Sequence, residues 1–122
     1  LKKTNLNLSF DISFVDNIVI YSLKGKITTE NDFQDLEKVV FENISKNHIN
    51  VVFDLEHLTH TNSSGIGLFM KALTKTRIMN GDLVLMHING NVEKIFIISK
   101  LNEIYTICEN QVEAINYFKS KQ

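Results

Sequence analysis

Apolar and polar residues alternate from Leu6 to Phe14, with Leu6, Leu8, Phe10, Ile12 and Phe14 all on one face. That is the period of a half-buried strand. Asp16-Asn17 signals a turn, and Ile18 to Leu23 reads as a second strand. So short a gap predicts an antiparallel hairpin, which Gly25 ends. The period then changes. Phe33, Leu36, Val40 and Ile44 mark one face of a helix. Thr28 or Thr29 can cap it, and Asp32 follows Thr29 by three residues, as in a capping box. Ile49 to Leu55 is a short, mostly apolar run, expected as a central strand covered on both faces. From Ser63 the pattern is helical again, with Ile66, Phe69, Met70 and Leu73 on one face. Asn80-Gly81 stops that helix, with Gly81 expected in the left-handed position. Leu83 to Leu85 begins a strand, and Asn91 can cap a helix carrying Val92, Ile95 and Phe96. Ile104 to Cys108 reads as a short strand, and Val112, Ile115 and Phe118 share one side of a last helix.

The predicted order is β-β-α-β-α-β-α-β-α. Alternation after the opening hairpin predicts an α/β fold with a mixed, mostly parallel sheet and about four helices. The 122 residues fit one domain, 1–122, and 43% hydrophobic content is enough for a core. The formal net charge of -1 gives no electrostatic drive toward nucleic acid or an anionic membrane. The single cysteine, Cys108, excludes an intramolecular disulfide and a multi-cysteine metal site, and reads as a core residue. No apolar run approaches a spanning helix. The expectation is a cytoplasmic protein with no membrane insertion and no direct nucleic-acid contact.

The candidate chemistry concentrates at Asn62-Ser63-Ser64-Gly65-Ile66-Gly67, where a strand hands over to a helix. A helix start offers unpaired N–H groups and the positive end of the macrodipole, which favour a phosphate. Asn and Ser are also ordinary helix caps, and on physical grounds alone capping stands ahead of a modification site. A catalytic serine finds little support. The nucleophile elbow G-x-S-x-G is absent, and His60, the histidine nearest in sequence, brings no third orienting group. Gly65-Ile66-Gly67 lacks the third glycine of a dinucleotide loop and the Lys-Ser or Lys-Thr of a P-loop, so no cofactor is expected. His57 and His60 have no paired ligand, so no metal site is expected there. Asp54 and Glu56 read as solvated or bonded to nearby backbone rather than as a catalytic pair.

Taken together, these segments resemble the STAS domain family, and within it the bacterial anti-sigma factor antagonists. Val51-Val52-Phe53-Asp54-Leu55 through Leu58 is similar to the family's strand and its D-L-x-x-(V/L) pattern. Asn62 to Gly67 resembles the signature D-S-S-G-(L/I)-G. Asn80-Gly81-Asp82-Leu83-Val84-Leu85 is similar to G-G-x-L-x-L, and Leu23-Lys24-Gly25-Lys26-Ile27-Thr28 to L-x-G-x-(L/I)-(D/T). Val92-Glu93-Lys94-Ile95-Phe96 with Ser99-Lys100-Leu101 resembles V-x-x-(L/I)-(L/F) followed by (T/S)-G-L. Asn62 stands where the family has Asp, Asn80 where it has the first glycine of a pair, and Lys100 where it has Gly.

The resemblance implies a STAS-like fold and a binding protein rather than an enzyme. It implies partner switching. An unphosphorylated antagonist binds an anti-sigma factor that is also a serine kinase, which releases sigma; phosphorylation ends this, and a serine phosphatase restores it. By position the acceptor is Ser63, with Ser64 second. Asn62, Ser63, Ser64 and Gly65 would meet the partner. Leu68, Lys71, Ala72 and Lys75 would join them, since their spacing puts them on one helix face. The alternative is a non-switching STAS scaffold in a lipid-transport or sensory complex, with the serines only capping.

Overall fold

The computed structural model describes residues 2–4 and 7–121. Its strands are β1 (Lys2–Thr4), β2 (Leu8–Val15), β3 (Ile18–Lys26), β4 (Asn50–His60), β5 (Asp82–Met86) and β6 (Thr106–Cys108). Its helices are α1 (Gln34–Ser45), α2 (Ser63–Ile78), α3 (Gly90–Ile98) and α4 (Gln111–Lys119), with 3₁₀ turns at Glu30–Phe33 and Leu101–Glu103. The strands lie side by side in chain order. β1–β2 and β2–β3 pair antiparallel, and β3–β4, β4–β5 and β5–β6 pair parallel. The expected hairpin and mostly parallel mixed sheet are therefore present. Lys2–Thr4 adds an edge strand that no alternation announces, and Leu6 lies outside the described residues.

The two faces of the sheet are covered unequally. Alternate residues of β2 to β5, such as Phe10, Tyr21, Phe53 and Leu85, pack under α1, α2 and α3. The opposite face carries Ile20, Val52, Val84 and Cys108, on which α4 sets Ala114 and Phe118. Tyr21, Phe53, Phe69, Phe96 and Tyr105 form a continuous chain of ring contacts through the larger core, each pair 5.4–6.1 Å between centroids.

Several local expectations are corrected. β4 continues past Leu55 to His60, because β3 keeps pairing with it beyond the end of β5, through Lys24↔His57, Gly25↔Leu58 and Lys26↔His60. His57 and His60 thus lie within β4, beyond the Leu55 end expected for it. Gly25 does not end β3; it sits inside it at φ +114, where a side chain would fall on the Asn7 carbonyl oxygen. α2 ends in a Schellman motif, with Gly81 N–H donating to Thr76 O at 2.8 Å and Asn80 N–H to Arg77 O at 3.1 Å. Asn80, at φ 67, takes the left-handed position assigned to Gly81. Gly81 is needed for another reason: a Cβ there would collide with the Ile49 backbone. Asn89 rather than Asn91 stands at the start of α3. β6 begins only at Thr106, after the 3₁₀ turn. In α4 the buried pair is Ala114 and Phe118, and Val112 is 68% exposed.

Candidate functional site

The site is built at the start of α2. The 16-residue helix begins at Ser63, and Asn62, in extended conformation, is its N-cap. Asn62 Oδ1 accepts from Gly65 N–H at 3.1 Å. Asn62 Nδ2 donates to Thr28 O at 2.6 Å. One side chain therefore caps the helix and ties it to the segment after β3. A carboxylate at this position could cap but could not make the second bond.

That segment is itself fixed. Asp32 lies in the 3₁₀ turn, and its carboxylate accepts from Thr28 N–H (2.7 Å), Thr28 Oγ1 (3.0 Å), Thr29 N–H (3.1 Å) and Asn7 Nδ2 (3.0 Å). The bond from Thr28 N–H leads these in holding the Asp32 pKa down to about 2, against the opposing effect of burial. The Asp32 bond to Thr29 N–H is the half of the capping box that the sequence anticipates. Gly65 is buried, and a side chain there would strike Thr61 Oγ1 and press on Ile27.

With capping assigned to Asn62, the serines are left free of that task. Ser63 is exposed and Ser64 half-buried. Among the described residues no hydrogen bond engages either side-chain hydroxyl. Neither is joined to a histidine. His60 faces Thr59 Oγ1 at 2.9 Å and Asn91 Nδ2 at 3.3 Å, and His57 lies 4.0 Å from Glu56. The Ser63 hydroxyl thus projects at the first position of α2, at the positive end of the helix dipole.

The stripe Leu68-Lys71-Ala72-Lys75 does share one side of α2, but that side is turned toward α1. Leu68 is 2% exposed and Ala72 0%. Lys71 pairs with Glu37 of α1 at 3.2 Å, and Lys71 and Lys75 both lie over the Phe41 ring. Gly65, Leu68 and Ala72 are therefore buried in the fold rather than presented on an open helix face, and Leu68 reaches the surface only at the floor of a groove. The buried side of α2 is also broader than predicted: Gly65, Leu68, Phe69, Ala72, Leu73 and Thr76 are covered, while Ile66 and Met70 are only half-buried.

What the surface does offer is a groove of about 280 Å³ between the 3₁₀ turn and α2. Glu30, Gln34, Glu37, Gly67 and Lys71 line it, with Phe33 and Leu68 at its apolar floor. Gly67 lines this groove and is not among the sequence-predicted site residues. The available signal was a glycine inside a helical pattern, which needs a reason. None lies within the fold, since a Cβ added at Gly67 would meet nothing within 4 Å.

The fold that carries this site recurs in known proteins. The family model described as the STAS domain matches residues 9–114. The chain belongs to the STAS domain family. A Bordetella bronchiseptica STAS relative named as a candidate anti-sigma factor antagonist, BtrV, is 27% identical over 106 residues, covering 87% of this chain and 90% of the relative. A candidate anti-sigma factor antagonist of Thermotoga maritima, solved by crystallography, has a TM-score of 0.79 at 23% identity, covering 88% of this chain and 92% of that one. The anti-sigma factor antagonist SpoIIAA is solved in unphosphorylated form (TM-score 0.73, 18% identity, 90% and 97% covered). SpoIIAA from Bacillus is also solved in phosphorylated form (TM-score 0.72, 20% identity, 89% and 98% covered). The STAS fold is thus shared across both forms of that protein. No helix among the described residues is long and apolar enough to cross a membrane.

Proposed function

We propose that this STAS domain is an anti-sigma factor antagonist whose binding is switched off by phosphorylation of Ser63. The observation that carries the reading is the exposed Ser63 hydroxyl, uncommitted at the first position of α2 because Asn62 does the capping. Its partner would be an anti-sigma factor with serine-kinase activity, and a serine phosphatase would reverse the modification. The named relatives support the partner class. The absence of a histidine bonded to either serine supports binding over catalysis. A phosphate of about −1.5 to −2 charges at Ser63 fits the helix start without unfolding it, while adding bulk and charge where the partner docks.

The direct test is to incubate the purified protein with the anti-sigma factor kinase of its own genome and ATP, then locate phosphate by mass spectrometry. One phosphate on Ser63, absent in Ser63→Ala, is expected. Phosphate on Ser64 alone, or unchanged incorporation in Ser63→Ala, contradicts the assignment.

Gly67 adds a separate prediction. A glycine within a helix costs about 0.5–1 kcal/mol relative to alanine. Nothing inside this chain requires it. Its use is to let partner backbone approach α2 one turn beyond Ser63. Gly67→Ala is expected to raise stability by about 0.5–1 kcal/mol in urea unfolding. The same change is expected to weaken partner binding by about fivefold or more, roughly 1 kcal/mol. Higher stability with unchanged affinity would remove Gly67 from the contact surface.

A further inference from the structure

α4 covers only part of its face of the sheet. On that face β4 turns polar after Val52, while β5 stays apolar to Met86. Asp54 and Glu56, two residues apart on β4, project to the same side. His87, directly after β5, is brought beside them. His87 Nδ1 lies 2.9 Å from Asp54 Oδ1 and 3.7 Å from Glu56 Oε1. One potential ligand atom from each of the three lies within 4.8 Å of the others. The backbone holds the group together from both strands. Glu56 N–H donates to Asp54 Oδ1 at 3.1 Å. Asn89 Nδ2 donates to the carbonyls of Glu56 (3.2 Å) and His87 (2.8 Å).

We propose that Asp54, Glu56 and His87 form a binding site for a divalent transition-metal ion of the Zn2+ class. A simple histidine–aspartate tether needs one carboxylate. Here a second carboxylate converges on the same ring nitrogen, and two like charges brought together favour a cation between them. Ligands about 2.0–2.2 Å from a tetrahedral ion stand roughly 3.3 Å apart, and the two distances from His87 bracket that separation. One imidazole with two carboxylates suits Zn2+, whereas Ca2+ and Mg2+ take oxygen ligands throughout. Three protein ligands leave a fourth position for water. Glu56 is 55% and His87 30% exposed, so solvent reaches the site. Nδ1 coordinates a metal only without a proton, so the ion takes the place of any proton between Nδ1 and Asp54. The bound ion would clip the end of β5 to β4. The proposal stands independently of the antagonist reading.

The test is calorimetric titration of the metal-free full chain with Zn2+. One equivalent is expected to bind saturably. Loss of an outer-shell partner typically costs about 10–100-fold in metal affinity. Glu56→Gln and His87→Ala each remove a direct ligand and are expected to weaken binding at least tenfold. Glu56 is 55% exposed, so its variant keeps the fold and the test holds even if His87→Ala does not. His57→Ala and His60→Ala are expected to leave affinity unchanged. No saturable binding by the folded wild type overturns the proposal. So does binding that survives Glu56→Gln, or that is lost with His57 or His60 instead.

Discussion

Phe69→Ala is expected to destabilise this domain by about 3–5 kcal/mol, the usual range for deleting a fully buried aromatic side chain. Phe69 is 0% exposed on the inner side of α2. Its ring lies 5.4 Å from Phe53 of the central strand and 6.1 Å from Phe96 of α3. It is the point at which the helix that presents Ser63 is fastened to the sheet. Domains of this size have about 5–15 kcal/mol of stability in all, so the loss is a large fraction of it. The midpoint of urea unfolding measures it. Ser63→Ala, exposed and without a side-chain hydrogen bond, is expected to stay within about 0.5 kcal/mol of wild type. A Phe69→Ala loss below about 1 kcal/mol would contradict the packing described for α2. The same contrast governs binding experiments. A change at Ala72, fully buried, would act through the fold, whereas the proposed switch places the effect of Ser63 at the surface.

The second large effect is functional. Ser63→Asp, or phosphate on Ser63, is expected to weaken affinity for the anti-sigma factor about 5- to 150-fold, the effect of 1–3 kcal/mol of coupling. Folding stability should be unchanged or slightly raised, because an anion in the first turn of a helix contributes about 0.3–1 kcal/mol. The separation of the two effects follows from position. Ser63 is exposed, about one helical turn before Gly67, which lines the groove with Glu30 and Gln34. Its hydroxyl supports no hydrogen bond within the described residues, so modification is expected to leave the scaffold intact and, on the proposed function, to change what the partner meets. Equilibrium binding and thermal melting on the same samples separate them. An affinity loss matched by a loss of stability would mean the switch works by unfolding.

Local pattern carried most of this architecture. Alternation in β2 and the 3.6-residue period of α1 and α2 identified these elements because both periods are local, although Phe14, on the predicted face of β2, is 54% exposed. The strand-to-helix corner at Asn62-Ser63 was legible because capping chemistry is local. What failed depended on distant partners. The period of α2 shows that Leu68, Lys71, Ala72 and Lys75 share a side, but only the packing of α1 decides that this side faces inward. β4 extends to His60 because β3 pairs with it, a fact no pattern within β4 records. The roles of Asn80 and Gly81 exchanged because the Ile49 backbone lies against Gly81. Asp54 and His87 are 33 positions apart, and parallel pairing of β4 with β5 alone brings them together.

The central claim is that one hydroxyl governs partner exchange. The most direct measurement is release of sigma from a preformed sigma–anti-sigma factor complex, titrated with unmodified and with Ser63-phosphorylated protein. The account predicts that the unmodified protein frees sigma and that the phosphorylated protein leaves the complex intact over the same concentration range. Equal release by the two forms would contradict it.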